Sequence, residues 1–254
     1  MNESKSTGIQ SLSRGLEILG QFTAESRTLS LAELSRRTGL HRATIHRFVK
    51  TLETEGFLIS TAAGTYTVGP AWAMALCALG SDTAFTAILN TDLRALADES
   101  LETVALGVRR GDNVQIVHTL PAARSFVPTL PPNRLHPLHA MWNVHSQLLL
   151  AHADEATKRR LLAVPQERYT KNTVVEPEAV RASLDRALAE GVAYDHEEFL
   201  LGTCAVAVPL MSRGRAVAAL ALIVPVERFT EQAVPSFVVQ LRAAAAQMEK
   251  RLAS

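Results

Sequence analysis

"SLAELSRRTGLHRATIHRFVKTLETEGFL", Ser30 to Leu58, reads as two helices joined by a tight turn. Ser30 and Glu33 stand at capping-box spacing, in which each side chain satisfies an orphan backbone N–H of a helix start. The helix so begun runs to about Thr38, and Gly39 can take the left-handed conformation that ends it. Leu40 fills the turn. In "HRATIHRFVKTLETEG" the apolar positions Ile45, Phe48, Val49 and Leu52 recur at helical spacing, and Gly56 closes the segment. Helix, short Gly-containing turn, helix is the helix-turn-helix layout.

The flanks agree. Upstream, Leu12, Leu16, Ile18, Leu19 and Phe22 are spaced for an amphipathic helix, with Ser11 or Ser13 as its expected N-cap. Downstream, "FLIS" and "TYTV" alternate as short strands around "TAAG", a hairpin signal. A helix-turn-helix followed by a hairpin predicts a winged helix over residues 1–68.

Charge gives this unit a partner. Residues 36–50 carry five Arg or Lys and no Asp or Glu, while the whole chain sums to only +1. A basic stretch in an otherwise slightly acidic chain is the electrostatic footprint of a polyanion-binding face. Once the apolar face of the second helix is buried, Arg42, Ala43, Thr44, His46, Arg47 and Lys50 remain outside. Arg42 and Arg47 suit guanine edges, and Thr44 a base or a phosphate. Lys50, Ser13 and Arg14 suit phosphates. Ser30 and the wing residues Thr65 and Tyr66 complete the candidate contact set for a double-stranded DNA operator. The bland alternative is a solvated basic helix face.

"GPAWAMALCALG", Gly69 to Gly80, is an apolar, helix-sized segment whose Trp72, Leu76 and Leu79 could share a face. Over 69–82 it is expected to be a linker and dimerisation helix, or else an intradomain core helix. A helix-turn-helix reads one half-site, so a homodimer or higher homo-oligomer is expected.

The remaining residues, 83–254, read as α+β. Helix patterns cover Phe85 to Glu99, Val144 to His152, Glu155 to Ala163, Pro177 to Glu190 and Thr230 to Leu252. Strand patterns cover "TVALGVRR", "VQIVHTL", "SFVPTL", "CAVAVPLM" and "AVAALALIV". Hydrophobic content of 47% and charged content of 20% fit an ordinary globular protein. The polar start, "MNESKSTGIQ", has no signal-peptide core, and the apolar run from Ala216 to Val226 is too short for a bilayer. A cytoplasmic location is expected. Cys77 and Cys204 form neither a zinc pattern nor an expected disulfide.

With these segments in order, the chain resembles the IclR family of bacterial transcriptional regulators. The N-terminal likeness lies in the Ser30–Leu58 stretch and "GTYTVGP". The C-terminal likeness lies in "ETVALGVRRGD", "PLHA", "YTKNT", "EGVAYDHEE", "LGTCAVAVPL" and "RAVAALAL". The resemblance implies a winged helix, a linker helix and a GAF-like effector-sensing domain of antiparallel sheet with flanking helices. It implies dimers, often paired into tetramers, that answer to small carboxylate or aromatic metabolites. Carried over by position, it places the effector site at Leu106, Leu138, His139, Ala140, Asp195, Glu198, Cys204, Ala221 and Ile223.

This chain departs from the family in that region. After "PLHA" the family has small residues and a glycine, whereas "MWNVHSQ" stands here and the segment is two residues longer. One residue, Thr203, separates Gly202 from Cys204, and the final strand reads "ALI" where the family often places two serines. Lost hydroxyls remove partners that a small polar acid needs. The cavity is therefore expected either to be larger and more apolar, lined by Trp142 and His145, or to be filled by them. His139 or His145 is the candidate hydrogen-bond donor, neutral or cationic, to an effector acid.

Four of the eight histidines, His136, His139, His145 and His152, fall within 19 residues. Zinc sites on helices want His at i and i+4. His136 and His139 flank Pro137 in an extended stretch, and His145 and His152 lie roughly 10 Å apart along a helix axis. His196, Glu197 and Glu198 could converge in space. No metal, cofactor or catalytic residue is expected, and Cys204 in an apolar strand lacks the base a nucleophile requires. Three readings stand: a ligand-modulated regulator, a regulator whose plugged sensor domain only assembles, and a metal-dependent enzyme with a DNA-binding appendage.

Overall fold

A computed structural model describes residues 9–23, 26–78, 83–122 and 135–253. The chain divides into two compact units, one reaching to Phe85 and including the last residues from Leu252, the other from Thr86 to Arg251.

In the first unit α1 (Gln10–Leu19) is followed by β1 (Thr28–Leu29), α2 (Leu31–Thr38), α3 (Arg42–Thr54), β2 (Leu58–Ser60), β3 (Tyr66–Val68) and α4 (Ala71–Ala78). The Ser30–Glu33 capping box forms, with Ser30 Oγ accepting the Glu33 N–H and Glu33 Oε2 accepting the Ser30 N–H. Gly39 ends α2 at φ +69°. His41 caps α3, its Nδ1 accepting the Ala43 N–H at 3.4 Å. Ile18, Leu19, Leu29, Leu34, Ile45, Val49 and Leu58 form the core. The hairpin gains a third strand that the sequence reading lacked: β1 pairs antiparallel with β3, giving the order β1-β3-β2.

Two expectations are corrected here. Neither Ser11 nor Ser13 caps α1. The helix begins at Gln10 with Ile9 as an N-cap lacking a side-chain bond, and Ser13 Oγ donates back to the Ile9 carbonyl. The apolar face of α1 is also narrower than its pattern, because Leu12 and Leu16 are exposed. In α4, Trp72 packs edge-on against Phe57 at 5.8 Å, so the start of this helix is seated on the core of its own unit. Leu79 and the side chain of Leu76, expected on the same face, lie outside the described residues, as does "SFVPTL".

The second unit is built on a sheet of order β6-β5-β4-β9-β8-β7, with every pairing antiparallel. Its strands are β4 (Thr103–Arg110), β5 (Asn113–Leu120), β6 (Leu135–Pro137), β7 (Ala193–His196), β8 (Thr203–Ser212) and β9 (Arg215–Pro225). β7, inside "EGVAYDHEE", was not anticipated as a strand. The helices are α5 (Thr83–Ser100), α6 (Val144–Ala151), α7 (Glu155–Leu162), α8 (Pro177–Glu190) and α9 (Val234–Ala253). α9 starts four residues later than expected.

One sheet face carries small residues: Ala105 of β4, Ala193 of β7, Ala205 and Ala207 of β8, and Ala219 and Ala221 of β9. Side chains this short let a helix lie close, and α6 occupies the space with every one of its residues buried. A helix buried all round must satisfy its polar groups internally. Ser146 Oγ donates to the Pro137 carbonyl, and Gln147 Nε2 donates to the carbonyls of Met141 and Tyr194. The alternate residues Val104, Leu106, Cys204, Val206, Leu220 and Leu222 are buried on the other face. α5 and α9 bring buried stripes of their own, and Arg251 of α9 pairs with Asp92 of α5 at 2.5 Å.

Candidate nucleic-acid interface and internal cavity

Burying Ile45 and Val49 turns the opposite face of α3 outward. Arg42, Ala43, His46, Arg47 and Lys50 are exposed, and Thr44 is half-buried. Lys50 Nζ pairs with Glu53 at 2.9 Å, which raises the Lys50 pKa. Of the residues expected to assist, Ser13 is exposed and Arg14, Thr65 and Tyr66 are half-buried. Ser30 is committed to the capping box, with Oγ also donating to Glu33 Oε2 at 2.7 Å. Thr65 Oγ1 lies 2.8 Å from Thr61 Oγ1 across the hairpin turn, and Tyr66 packs on the core.

In the second unit a cavity of about 100 Å³ lies between the start of α6, the β7–β8 loop and the ends of β8 and β9. Trp142, Asn143, Val144, His145, Asp195, Phe199, Leu200, Thr203, Ala205 and Ile223 line it. Four of the expected residues therefore meet: Trp142, His145, Asp195 and Ile223. Seven do not. Leu106 and Cys204 fall on the other sheet face, because their neighbours Ala105 and Ala205 face α6 and strand side chains alternate. Leu138 and Ala221 are core residues. Ala140 is buried and His139 half-buried, both outside the lining. The Glu198 carboxylate accepts the Val174 N–H.

Asn143, Val144, Phe199, Leu200, Thr203 and Ala205 join the lining beyond the residues expected from sequence. Thr203 and Ala205 were recoverable from strand alternation once Ile223 was placed. Phe199 was not, because its ring arrives by tertiary packing. It stacks on Trp142 with ring centroids 4.3 Å apart and planes 20° from parallel. Tyr169 lies 5.1 Å from Trp142 and 5.2 Å from Phe199, and His136 meets Trp142 edge-on at 5.8 Å. "YTKNT" anchors the loop that carries Phe199: Thr170 Oγ1 donates to the Glu197 carbonyl at 2.7 Å and Thr173 Oγ1 to the Glu198 carbonyl at 2.5 Å.

Burial sets the electrostatics. It pushes His145 down to about 4, so the ring is neutral rather than cationic. His145 Nδ1 lies 3.1 Å from Asn143 Oδ1 and Nε2 lies 3.4 Å from the Ala105 carbonyl. A neutral ring has one N–H for these two oxygens. Burial likewise raises Asp195 and Glu198 to about 7 each, with Glu198 adding to the effect on Asp195. The Cys204 thiol is raised to about 11, the reverse of what a nucleophile needs. Lys and Arg are absent from the lining.

Among the described residues no three His, Cys, Asp or Glu come together as a metal site, and no helix is long and apolar enough to cross a membrane. His196, Glu197 and Glu198 follow one another at the end of β7 without converging.

Two family models match the chain: the IclR helix-turn-helix domain over residues 11–60 and the bacterial transcriptional regulator IclR C-terminal domain over 81–250. The chain is 31% identical to the HTH-type transcriptional regulator Rv1719 of Mycobacterium tuberculosis, over 89% of this chain and 86% of that one. It is 31% identical to the glycerol operon regulatory protein of Streptomyces griseus, over 90% and 89%. Among solved structures, an IclR homolog from Microbacterium hydrocarbonoxydans complexed with 4-hydroxybenzoate superposes with a TM-score of 0.62 at 25% identity, covering 95% of this chain and 98% of that one.

Proposed function

We propose, from the premise that this chain belongs to the IclR family and is a DNA-binding transcriptional regulator with a C-terminal effector domain, not an enzyme, that it grips a pseudo-palindromic operator as a homodimer or homotetramer. Arg42, Ala43, Thr44, His46, Arg47 and Lys50 meet the major groove, with Ser13, Arg14, Ser30, Thr65 and Tyr66 toward the backbone. The observation that carries this reading is the outward basic face of α3. The effector is a small, mostly apolar or aromatic carboxylate bound in the cavity beneath Trp142, and its binding changes how two recognition helices match half-site spacing.

Supporting the effector class are the rings of Trp142 and Phe199 in the lining, and the aromatic acid held by the Microbacterium homolog. The test is operator affinity, on a site selected by genome-wide binding, with and without aromatic acids. A ligand-dependent shift is expected. Pyruvate acting more strongly than any aromatic acid would overturn the effector class.

A second reading follows from the Trp142–Phe199 stack. The cavity is smaller than the roughly 150 Å³ that accommodates benzene. If the rings never part, the second unit serves assembly alone, and no ligand alters operator affinity.

A further inference from the structure

Asn143 lines the cavity and carries a buried side-chain nitrogen that the protein leaves without a partner. Asn143 is the N-cap of α6 and is 4% exposed. Its Oδ1 lies 2.9 Å from the backbone nitrogen of His145. A backbone N–H can only donate, so the amide orientation is set: oxygen toward the helix, Nδ2 away from it. Nδ2 is buried and has no hydrogen-bond partner. A buried amide N–H₂ with nothing to donate to is a cost that native structures seldom carry without a reason.

The other polar lining groups differ. Asp195 Oδ1 already accepts the Glu198 N–H at 2.7 Å. What Asn143 Nδ2 lacks is an acceptor. An ammonium would leave Nδ2 unpaired and set its own donors against it.

The apolar part of the ligand is read from the stack. Phe199 covers one face of Trp142 in the offset-parallel manner a flat ring adopts. Phe199 is half-buried, and its ring also meets that of the exposed Tyr169 at 5.2 Å. The base of its loop stays held by Thr170 and Thr173. A void of about 100 Å³ admits a ring only when Phe199 swings aside, and the incoming ring then takes its place on the indole.

We infer that Asn143 is a ligand-recognition residue of this cavity: a planar aromatic ligand replaces Phe199 on the Trp142 face and presents an acceptor oxygen, carbonyl or carboxylate, to Asn143 Nδ2. This rests on the cavity being the effector site. Nothing in the "PLHA" resemblance assigns Asn143 such a role.

Asn143→Asp tests it. Aspartate caps a helix as well as asparagine does, so the bond to the His145 N–H is kept while the donor becomes an acceptor. The probes are benzamide, benzoate and benzylamine, titrated into the full-length protein by calorimetry, with operator affinity measured in parallel. Wild type is expected to bind benzamide and benzoate at least tenfold more tightly than benzylamine. Asn143→Asp is expected to lose at least tenfold toward benzamide and benzoate with its circular dichroism unchanged. If Asn143→Asp fails to fold, Asn143→Ser serves instead, since serine also caps and carries no amide.

Unchanged benzamide and benzoate affinity in the variant, with operator affinity still ligand-dependent, overturns the role of Asn143 and leaves the effector site standing. Preferential binding of benzylamine by wild type overturns the acceptor assignment. Silence of wild type toward all three probes overturns the effector-site reading and this inference with it.

Discussion

Gly107 of β4 and His145 of α6 are fitted to one another: a Cβ on Gly107 would lie 2.6 Å from His145 Cδ2 and 2.9 Å from Cγ. The glycine is required by the closeness of the helix, since Gly107 is not among the positive-φ residues. Gly107→Ala should destabilise the protein by about 1–3 kcal/mol through overpacking. Removing the ring in His145→Ala should make room, so the double variant should be more stable than the two single effects added together. Denaturant titration of all four proteins measures the coupling. Simple additivity would show that the ring does not meet the Cβ.

Asp195 makes stability depend on pH. Burial raises its carboxyl from the ordinary 3.8 to about 7, with Glu198 and Glu197 adding to the rise. Glu198 is itself raised by burial and lowered by Arg186. The native state thus holds a proton that the unfolded chain has released, and stability falls as pH rises from about 4 to 7. Asp195→Asn removes the Asp195 part of this slope, while Glu198, also raised to about 7, keeps its own. The melting temperature of the variant should gain on wild type across that window and keep a constant lead above it. His145, lowered to about 4, acts in the opposite sense between about 4 and 6.5, but it is present in both proteins and cancels in the difference.

Arg47 is exposed on α3, with Phe48 and Val49 turned toward the core. Arg47→Ala should weaken operator binding by about 1–3 kcal/mol if the guanidinium reads a guanine. It should leave thermal stability within experimental scatter. Unchanged affinity and specificity in a gel-shift titration would remove Arg47 from the base-reading set.

Glu102 is 3% exposed and accepts a two-pronged bond from Arg228, with both N···O distances 2.6 Å. Arg228→Met leaves that carboxylate buried without its main partner. A loss of about 3 kcal/mol is expected, most of it recovered in Glu102→Gln/Arg228→Met. Chemical denaturation of the two variants decides whether the pair or the burial dominates.

Ser30→Ala tests the helix-turn-helix more locally. It deletes the oxygen that accepts the Glu33 N–H and should cost about 1 kcal/mol, read as a lower melting temperature. The substitution also separates the cap from any phosphate contact. If Ser30 only caps, operator affinity at a temperature well below melting stays unchanged.

The sequence alone determined the winged helix. Its signals are local: a capping box at Ser30 and Glu33, a left-handed Gly39, a helical apolar stripe at Ile45 and Val49, and a hairpin turn. Each acts within a few residues, so each is visible in a linear reading. The basic face of α3 is equally local, since helical period decides which side chains remain outside. The cavity is different. Trp142 and His145 stood out as departures from a family pattern, but which residues they meet depends on strand register and loop path. Alternation across β8 and β9 carries Thr203 and Ala205 into the lining and turns Cys204 away. The β7–β8 loop, held by Thr170 and Thr173, carries Phe199 onto Trp142. Asn143 Nδ2 is left unpaired by its neighbours in space, and no spacing along the chain records that. What the sequence determined is which helices form and which side chains they leave outside. Only the tertiary structure decided what the cavity admits, because complementarity there is set by groups brought together from three separate stretches of the chain, 142–145, 195–205 and Ile223.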